Sequence, residues 1–173
     1  MSSADDGSGR SGRELFADLY PRLRRVAAVA APSDLDPDDL LQEALARVLR
    51  HSDLGDLDHP EAYLRRTIVN VASNHNRSRG RERRALIRVA HAAGTDADAV
   101  DPYPSDLALL DELNTEDRVA VYLADVERRP ASEVADALDI STVAVRARLS
   151  RARRRLREVL AASAEATSEG GAR

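Results

Sequence analysis

Two blocks of helical apolar period, separated by a stretch that has none, set the first limit on the fold of this chain. Leu15, Leu19, Leu23, Val26 and Ala30 recur at helical spacing. Leu40, Leu41, Ala44, Leu45, Val48 and Leu49 form a second stripe, and Leu64, Ile68, Val71 and Ala72 a third. From His91 to Pro104 the period stops; Gly94, Pro102, Pro104, small residues and acids stand there instead, the composition of a linker. Helical spacing returns with Leu107, Leu110 and Leu113, then Val119, Leu123 and Val126, then Val134, Ala135 and Leu138, and finally Val145, Leu149, Ala152 and Leu156. No segment alternates as a strand would, and nothing repeats. With 173 residues there is room for one ordinary domain or two small ones. The expected fold is all-α: two small helical domains at 13–88 and 105–161, a flexible acidic linker at 89–104, and disordered tails at 1–12 and 162–173.

The helix boundaries carry their own signals. Asp36-Pro37-Asp38-Asp39 offers a capping carboxylate, a proline suited to the first turn and acids at the positive end of the dipole. That helix should stop near His51, before a loop at Leu54–His59. Pro60 opens the next helix and Pro130 a later one, while Asn114-Thr115-Glu116-Asp117 is a second cap signature. Pro21 should kink or restart the first helix. The last helix is expected over Thr142–Leu160.

The formal net charge of −4 hides a blocked pattern. Glu61–Arg84 holds seven Arg and two acids, and Arg146–Glu158 seven Arg and one acid. Between them His91–Asp117 has eight acids and no base, and Ser33–His59 has eight acids against two Arg. Such asymmetry points to charged partners that differ from one segment to the next.

Several chemistries are excluded. Without cysteine there is no disulfide scaffold, thiolate metal site or cysteine nucleophile. The four histidines lack metal-ligand spacing, and no phosphate-binding glycine loop or serine elbow occurs. Asp34-Leu35-Asp36-Pro37-Asp38 resembles the start of a calcium loop but has Asp39 where glycine is required and Leu45 where the closing Glu belongs. No apolar run reaches the ~20 residues of a membrane helix, and Met1–Gly12 lacks a signal-peptide core. These features predict a soluble, intracellular, non-enzymatic protein with no cofactor and no metal.

What remains points to nucleic acid. Glu133, Val134, Ala135 and Leu138, the short turn Asp139-Ile140-Ser141, and a helix anchored by Val145 and Leu149 make a helix-turn-helix pattern, whose second helix enters the major groove. Around that helix stand Arg146, Arg148, Arg151, Arg153, Arg154, Arg155 and Arg157, which repel one another unless an anion or solvent relieves them. A solvated basic helix is the competing reading of the arginines alone; the preceding helix and turn favour DNA. In the first block Arg66, Asn70, Asn74 and Arg77 share an outward stripe, with Arg65, His75, Asn76 and Arg79 beside it. Arginine binds backbone phosphate and asparagine hydrogen-bonds base edges. Tyr63 is the only ring nearby, so opened strands would be held more by hydrogen bonds than by stacking.

Three segments together resemble the extracytoplasmic-function sigma factors, the small two-domain specificity subunits of bacterial RNA polymerase. Asp39-Leu40-Leu41-Gln42-Glu43-Ala44-Leu45-Ala46-Arg47-Val48 is similar to that family's D-L-V-Q-E-x-F-L-R-x pattern. Ala62-Tyr63-Leu64 and Ile68-Val69-Asn70 resemble A-W-L and I-A-R-N. Ser132 to Leu138 and Val145 to Arg153 resemble E-I-A-x-x-L-G and T-V-K-S-R-L-x-R-A-R. The resemblance spans roughly Glu14–Leu160. It departs at Asp139, where glycine is usual and where Asp tolerates left-handed backbone better than most residues. Val143, Ala144 and Ala147 lack the usual hydroxyls, Asn114 replaces a common proline, and Val69 and Asn74 replace a usual Arg and Asp.

The resemblance implies core RNA polymerase and promoter DNA as partners and leaves room for an anti-sigma protein. It implies that Asp39, Leu40, Gln42, Glu43, Arg47 and Arg50 dock on the polymerase clamp helices. Arg65, Arg66, Asn70, Asn74 and Arg77, with the Leu54–His59 loop, would take the melted −10 element, one base leaving the stack. Arg146, Arg148, Arg151, Arg153 and Arg154 would meet the −35 duplex, and the acidic linker would thread the polymerase's basic RNA-exit path. A helix-turn-helix regulator acting without polymerase, or a sigma-like adaptor without promoter activity, are the alternatives.

Overall fold

A computed structural model describes residues 11–90, 110 and 112–170, and of 79–90 and 163–170 the backbone alone. Among the described residues six α-helices follow in order: α1 Gly12–Ala30, α2 Pro37–Leu49, α3 Pro60–Ala90, α4 Thr115–Val121, α5 Ala131–Leu138 and α6 Thr142–Gly170. A 3₁₀ turn at Leu54–Asp56 joins α2 to α3, and a π-helical turn at Tyr122–Val126 extends α4. Among the described residues there is no strand.

The caps form as the sequence dictates. Asp36 accepts the Asp38 backbone N–H at 2.7 Å with Pro37 in the first turn, and Asn114 accepts that of Asp117 at 2.9 Å. Ser11 and Glu14 close a reciprocal capping box on α1. Asp139 ends α5 at φ 55°, ψ 45°, the left-handed turn expected of it, and Ser141 then accepts the Ala144 N–H at 3.2 Å to start α6.

Two boundaries differ from expectation. α1 runs through Pro21 without restarting. α6 runs ten residues past Leu160, because Ala161-Ala162-Ser163-Ala164-Glu165-Ala166 favours helix over the loose tail expected there. The linker at 89–104 and the early helix at 105–113 lie largely outside the described residues.

α1, α2 and α3 pack on one another around Leu23, Val26, Leu40, Leu41, Leu64, Ile68 and Val71, all fully buried. α4 and α5 pack on α6 around Val119, Leu123, Val134 and Val145. These two modules do not stand apart. α3 lies against α5 and α4, and α1 against α4, so the two apolar clusters merge into one. Polar ties cross the seam as well: Arg118 Nη2 donates to the Ala31 carbonyl at 3.4 Å, and Asn76 Nδ2 donates to Thr115 Oγ1.

Candidate nucleic-acid interface

Helix phase decides which predicted residues reach solvent. On α2 the core takes Leu40, Leu41, Ala44 and Val48, leaving Asp39, Gln42, Ala46, Leu49 and Arg50 outward and Glu43 and Arg47 at the margin. Leu40 is 0% exposed and cannot contact a partner, which removes it from the predicted docking set. Leu49, read from sequence as part of the buried stripe, is instead 50% exposed. The outward face thus carries one large apolar group ringed by polar ones. Glu43 Oε1 accepts from Arg47 at 2.7 Å, and Glu43 Oε2 lies 2.8 Å from His75 Nε2 on α3. The His75 contact, with help from the Arg47 charge, holds the Glu43 carboxyl below its ordinary range. Asp38 is likewise lowered by its hydrogen bonds from Arg24 and then Tyr20, which tie α1 to the start of α2.

On α3 the expected stripe forms: Arg66, Asn70, Asn74 and Arg77 are all exposed, and Arg77 Nη2 donates to Asn74 Oδ1 at 2.9 Å. Arg65 does not join it. One position earlier, it falls in phase with Ile68 and Ala72 and turns into the seam between the modules, where its side chain is 5% exposed. There it meets Glu61 of its own helix, Glu127 at 3.3 Å and Glu133 at 3.9 Å. Arg129 completes the cluster, 3.6 Å from Glu61, 3.2 Å from Glu127 and 3.1 Å from Glu133, with Arg22 at 3.6 Å from Glu61 on the rim. Arg66 itself reaches 3.2 Å from Asp139, the left-handed turn residue of the helix-turn-helix.

On α6 the seven arginines divide by flank. At about 100° per residue, Val143, Ala147, Ser150, Arg151 and Arg154 fall opposite the buried Val145, Leu149 and Ala152. Arg148 and Arg155 fall on one flank, Arg146, Arg153 and Arg157 on the other. Arg148 is only 20% exposed and donates to Glu116 at 3.1 Å and Asp117 at 2.9 Å. It clamps α6 to the first turn of α4, so in this arrangement the guanidinium expected on DNA is engaged by acids of the same chain. Arg155 pairs with Glu112 at 3.0 Å, and Arg153 chelates Asp125 through bonds of 3.1 and 2.6 Å, which raises its guanidinium pKa. Arg154 has only a loose 3.8 Å contact with Glu158, and Arg146, Arg151 and Arg157 have no ion pair among the described residues. The free cationic face therefore includes Arg146, Arg151 and Arg154, with Arg157 one turn further on and exposed Val143 at its leading end.

The distal end of the acidic block is spent on these flanking pairs. Glu112, Glu116 and Asp117 face α6, while the acids of residues 91–109 lie outside the described residues. Among the described residues no group of His, Asp or Glu is arranged to hold a metal ion, and no helix is long and apolar enough to cross a membrane.

Two family models match: Sigma-70 region 2 over residues 15–82 and Sigma-70, region 4 over residues 107–156. The chain is 30% identical to the ECF RNA polymerase sigma factor SigE of Mycolicibacterium smegmatis, over 97% of this chain and 68% of that one. It is 33% identical to the RNA polymerase sigma-E factor of Streptomyces coelicolor, over 87% and 89%. Among solved structures, CnrH in complex with the cytosolic domain of CnrY matches at 26% identity with TM-score 0.57, over 90% of this chain and 91% of that one. The sigma factor RpoE bound to the anti-sigma factor NepR from Bartonella quintana shares the fold, with TM-score 0.56 at 22% identity over 86% and 95%.

Proposed function

Because the chain belongs to the sigma-70 family, as an RNA polymerase sigma factor of the ECF type, we propose that its two exposed polar helix faces divide the promoter between them. The face of Arg66, Asn70, Asn74 and Arg77 takes the −10 element. Two arginines bind phosphate, and the asparagines between them pair with bases exposed by melting. The face of Arg146, Arg151 and Arg154 lies along the −35 duplex, with Val143 and Ala147 offering apolar contact to base edges or thymine methyls. On α2, Leu49 supplies the apolar centre and Asp39, Gln42, Glu43, Arg47 and Arg50 the polar rim of the contact with core polymerase.

The observation that carries this reading is the placement of two arginine-bearing faces on separate modules, each outward over a packed core. A regulator acting alone would need only the second, which is why the first favours a polymerase subunit. The polymerase performs the chemistry, in the cytoplasm, and this chain supplies recognition and strand separation. The solved relatives bound by NepR and CnrY support an anti-sigma protein as a third partner. Run-off transcription with core polymerase on a randomised promoter library tests the reading: transcripts from a recurring two-part motif are expected, and the absence of any preferred start refutes it.

A further inference from the structure

The ion pairs on α6 are not scattered among its arginines. At about 100° per residue the seven guanidiniums from Arg146 to Arg157 span about 220° around the helix, more than half its circumference. The three that acids of the same chain hold firmly are the three at the edges of that arc. Arg153 forms one edge and chelates Asp125. Arg148 and Arg155 form the other, paired with Glu116, Asp117 and Glu112. One edge is therefore neutral and the other carries more acid than base. Arg146, Arg151, Arg154 and Arg157 fill the middle, about 140° wide, where the one ion pair among the described residues is the loose 3.8 Å contact of Arg154 with Glu158. Exposed Val143 and Ala147 stand near the centre of this free arc. Arg148 clamps α4, but Arg153, Asp125, Arg155 and Glu112 are each between 39% and 55% exposed, and exposed pairs add little to stability.

What the edge pairs change is where a polyanion can settle. Phosphate contacts carry no sequence information. A helix charged over more than a half-turn would let a duplex roll onto either edge and be held there with its bases unread. We propose that Glu112, Glu116, Asp117 and Asp125 are specificity-determining residues of the −35 contact: by withholding the edge arginines from phosphate they leave the duplex one docking orientation, the one that presents base edges to Val143 and Ala147. The inference rests on the −35 assignment proposed above and deepens it. Discrimination of this kind comes from weakening the wrong dockings, with no contact added to the right one. Position along the helix agrees. Arg153 and Arg155 lie about 16 and 20 Å beyond Thr142 at about 1.5 Å per residue, further than the ~12 Å width of the major groove. Once freed, they meet backbone rather than bases, and so strengthen binding to any sequence.

Asp125→Asn and Glu112→Gln free one edge arginine each and spare the Arg148 clamp. Reconstituted holoenzyme carrying both substitutions is titrated with salt on two duplexes of equal length, a promoter recovered from the randomised library and a shuffled sequence. Affinity for the shuffled duplex should rise several-fold at low salt, and its slope of log K against log salt should steepen by about 0.9 per freed arginine. Between about 50 and 200 mM salt, binding to that duplex should then fall about twelve-fold further than with the unaltered chain. Promoter affinity should change less, so the ratio of promoter to shuffled binding drops. In an Arg153→Ala/Arg155→Ala background the same acid substitutions should give no gain. An unchanged affinity for the shuffled duplex overturns the inference, as do equal gains on both duplexes. So does a gain that survives without the two arginines, which would be a plain loss of charge repulsion. Failure to recover any promoter from the library would instead strike the proposed function.

Discussion

Arg148 and Arg151 lie three residues apart on α6 and should fail in opposite ways. Arg148 is 20% exposed and makes two charge-assisted hydrogen bonds, at 3.1 Å to Glu116 and 2.9 Å to Asp117. Such bonds contribute about 1.5–3 kcal/mol each when well buried. Glu116 is 40% exposed, so solvent screens its share, and the pair together is worth about 1.5–3 kcal/mol. Arg148→Ala should then lower the thermal unfolding midpoint by about 3–12 °C, at about 2–4 °C per kcal/mol for a chain of this length. Arg151 is exposed without an ion pair, so Arg151→Ala should change stability by less than about 0.5 kcal/mol. Its loss should appear on DNA: one phosphate contact fewer reduces the slope of log K against log salt by about 0.9. Thermal unfolding of the two variants and salt titration of holoenzyme on a −35 duplex measure both effects. A stable Arg148→Ala chain with a reduced salt slope, or an Arg151→Ala chain with an unchanged slope, would refute the division of the helix into clamp and reading face.

Further substitutions probe other elements. Leu40→Ala, at a fully buried position, should cost about 2–5 kcal/mol of stability, whereas Leu49→Ala should cost under about 1 kcal/mol yet weaken capture of core polymerase in a pull-down. Arg128 is exposed and held at φ 57°, so Arg128→Gly should raise the urea midpoint by an amount equivalent to about 0.5–1 kcal/mol, relief of left-handed strain exceeding the entropy glycine adds to the unfolded chain. The Asp38 carboxyl is lowered on folding, so its stabilisation is full above its unfolded value of 3.8 and is lost as pH falls through the lower folded value. Asp38→Asn should therefore flatten the acid limb of stability against pH, measured by urea unfolding between neutral pH and the acid transition, and an unchanged limb would assign that transition to other carboxylates.

Local signals carried much of this architecture. The Asp36 and Asn114 caps, the prolines that start α2 and α3, and the left-handed Asp139 are decided within a few residues, and each forms where its own chemistry places it. Phase on a helix was harder to see. Both Leu40 and Leu49 belong to an apolar run, but 40, 41, 44 and 48 close the buried arc and 49 falls outside it. The same arithmetic was available for Arg65, in step with Ile68 and Ala72, had charge not argued for solvent. What it lacked was a reason for burial, and that reason lies far along the chain in Glu127 and Glu133. The fate of Arg148 depends on α4 in the same way. Composition reveals an arginine-rich helix; only packing tells which arginines neutralise acids of the same chain and which are left for another molecule.

Footprinting of the reconstituted holoenzyme, combined with mapping of the RNA start, tests the central claim most directly. Two protected patches about 25 base pairs apart are expected upstream of one start, with Arg151→Ala weakening the upstream patch alone and Asn70→Ala the downstream patch alone. A single continuous patch, a scattered set of starts, or both variants weakening both patches alike would contradict the assignment of one promoter element to each module.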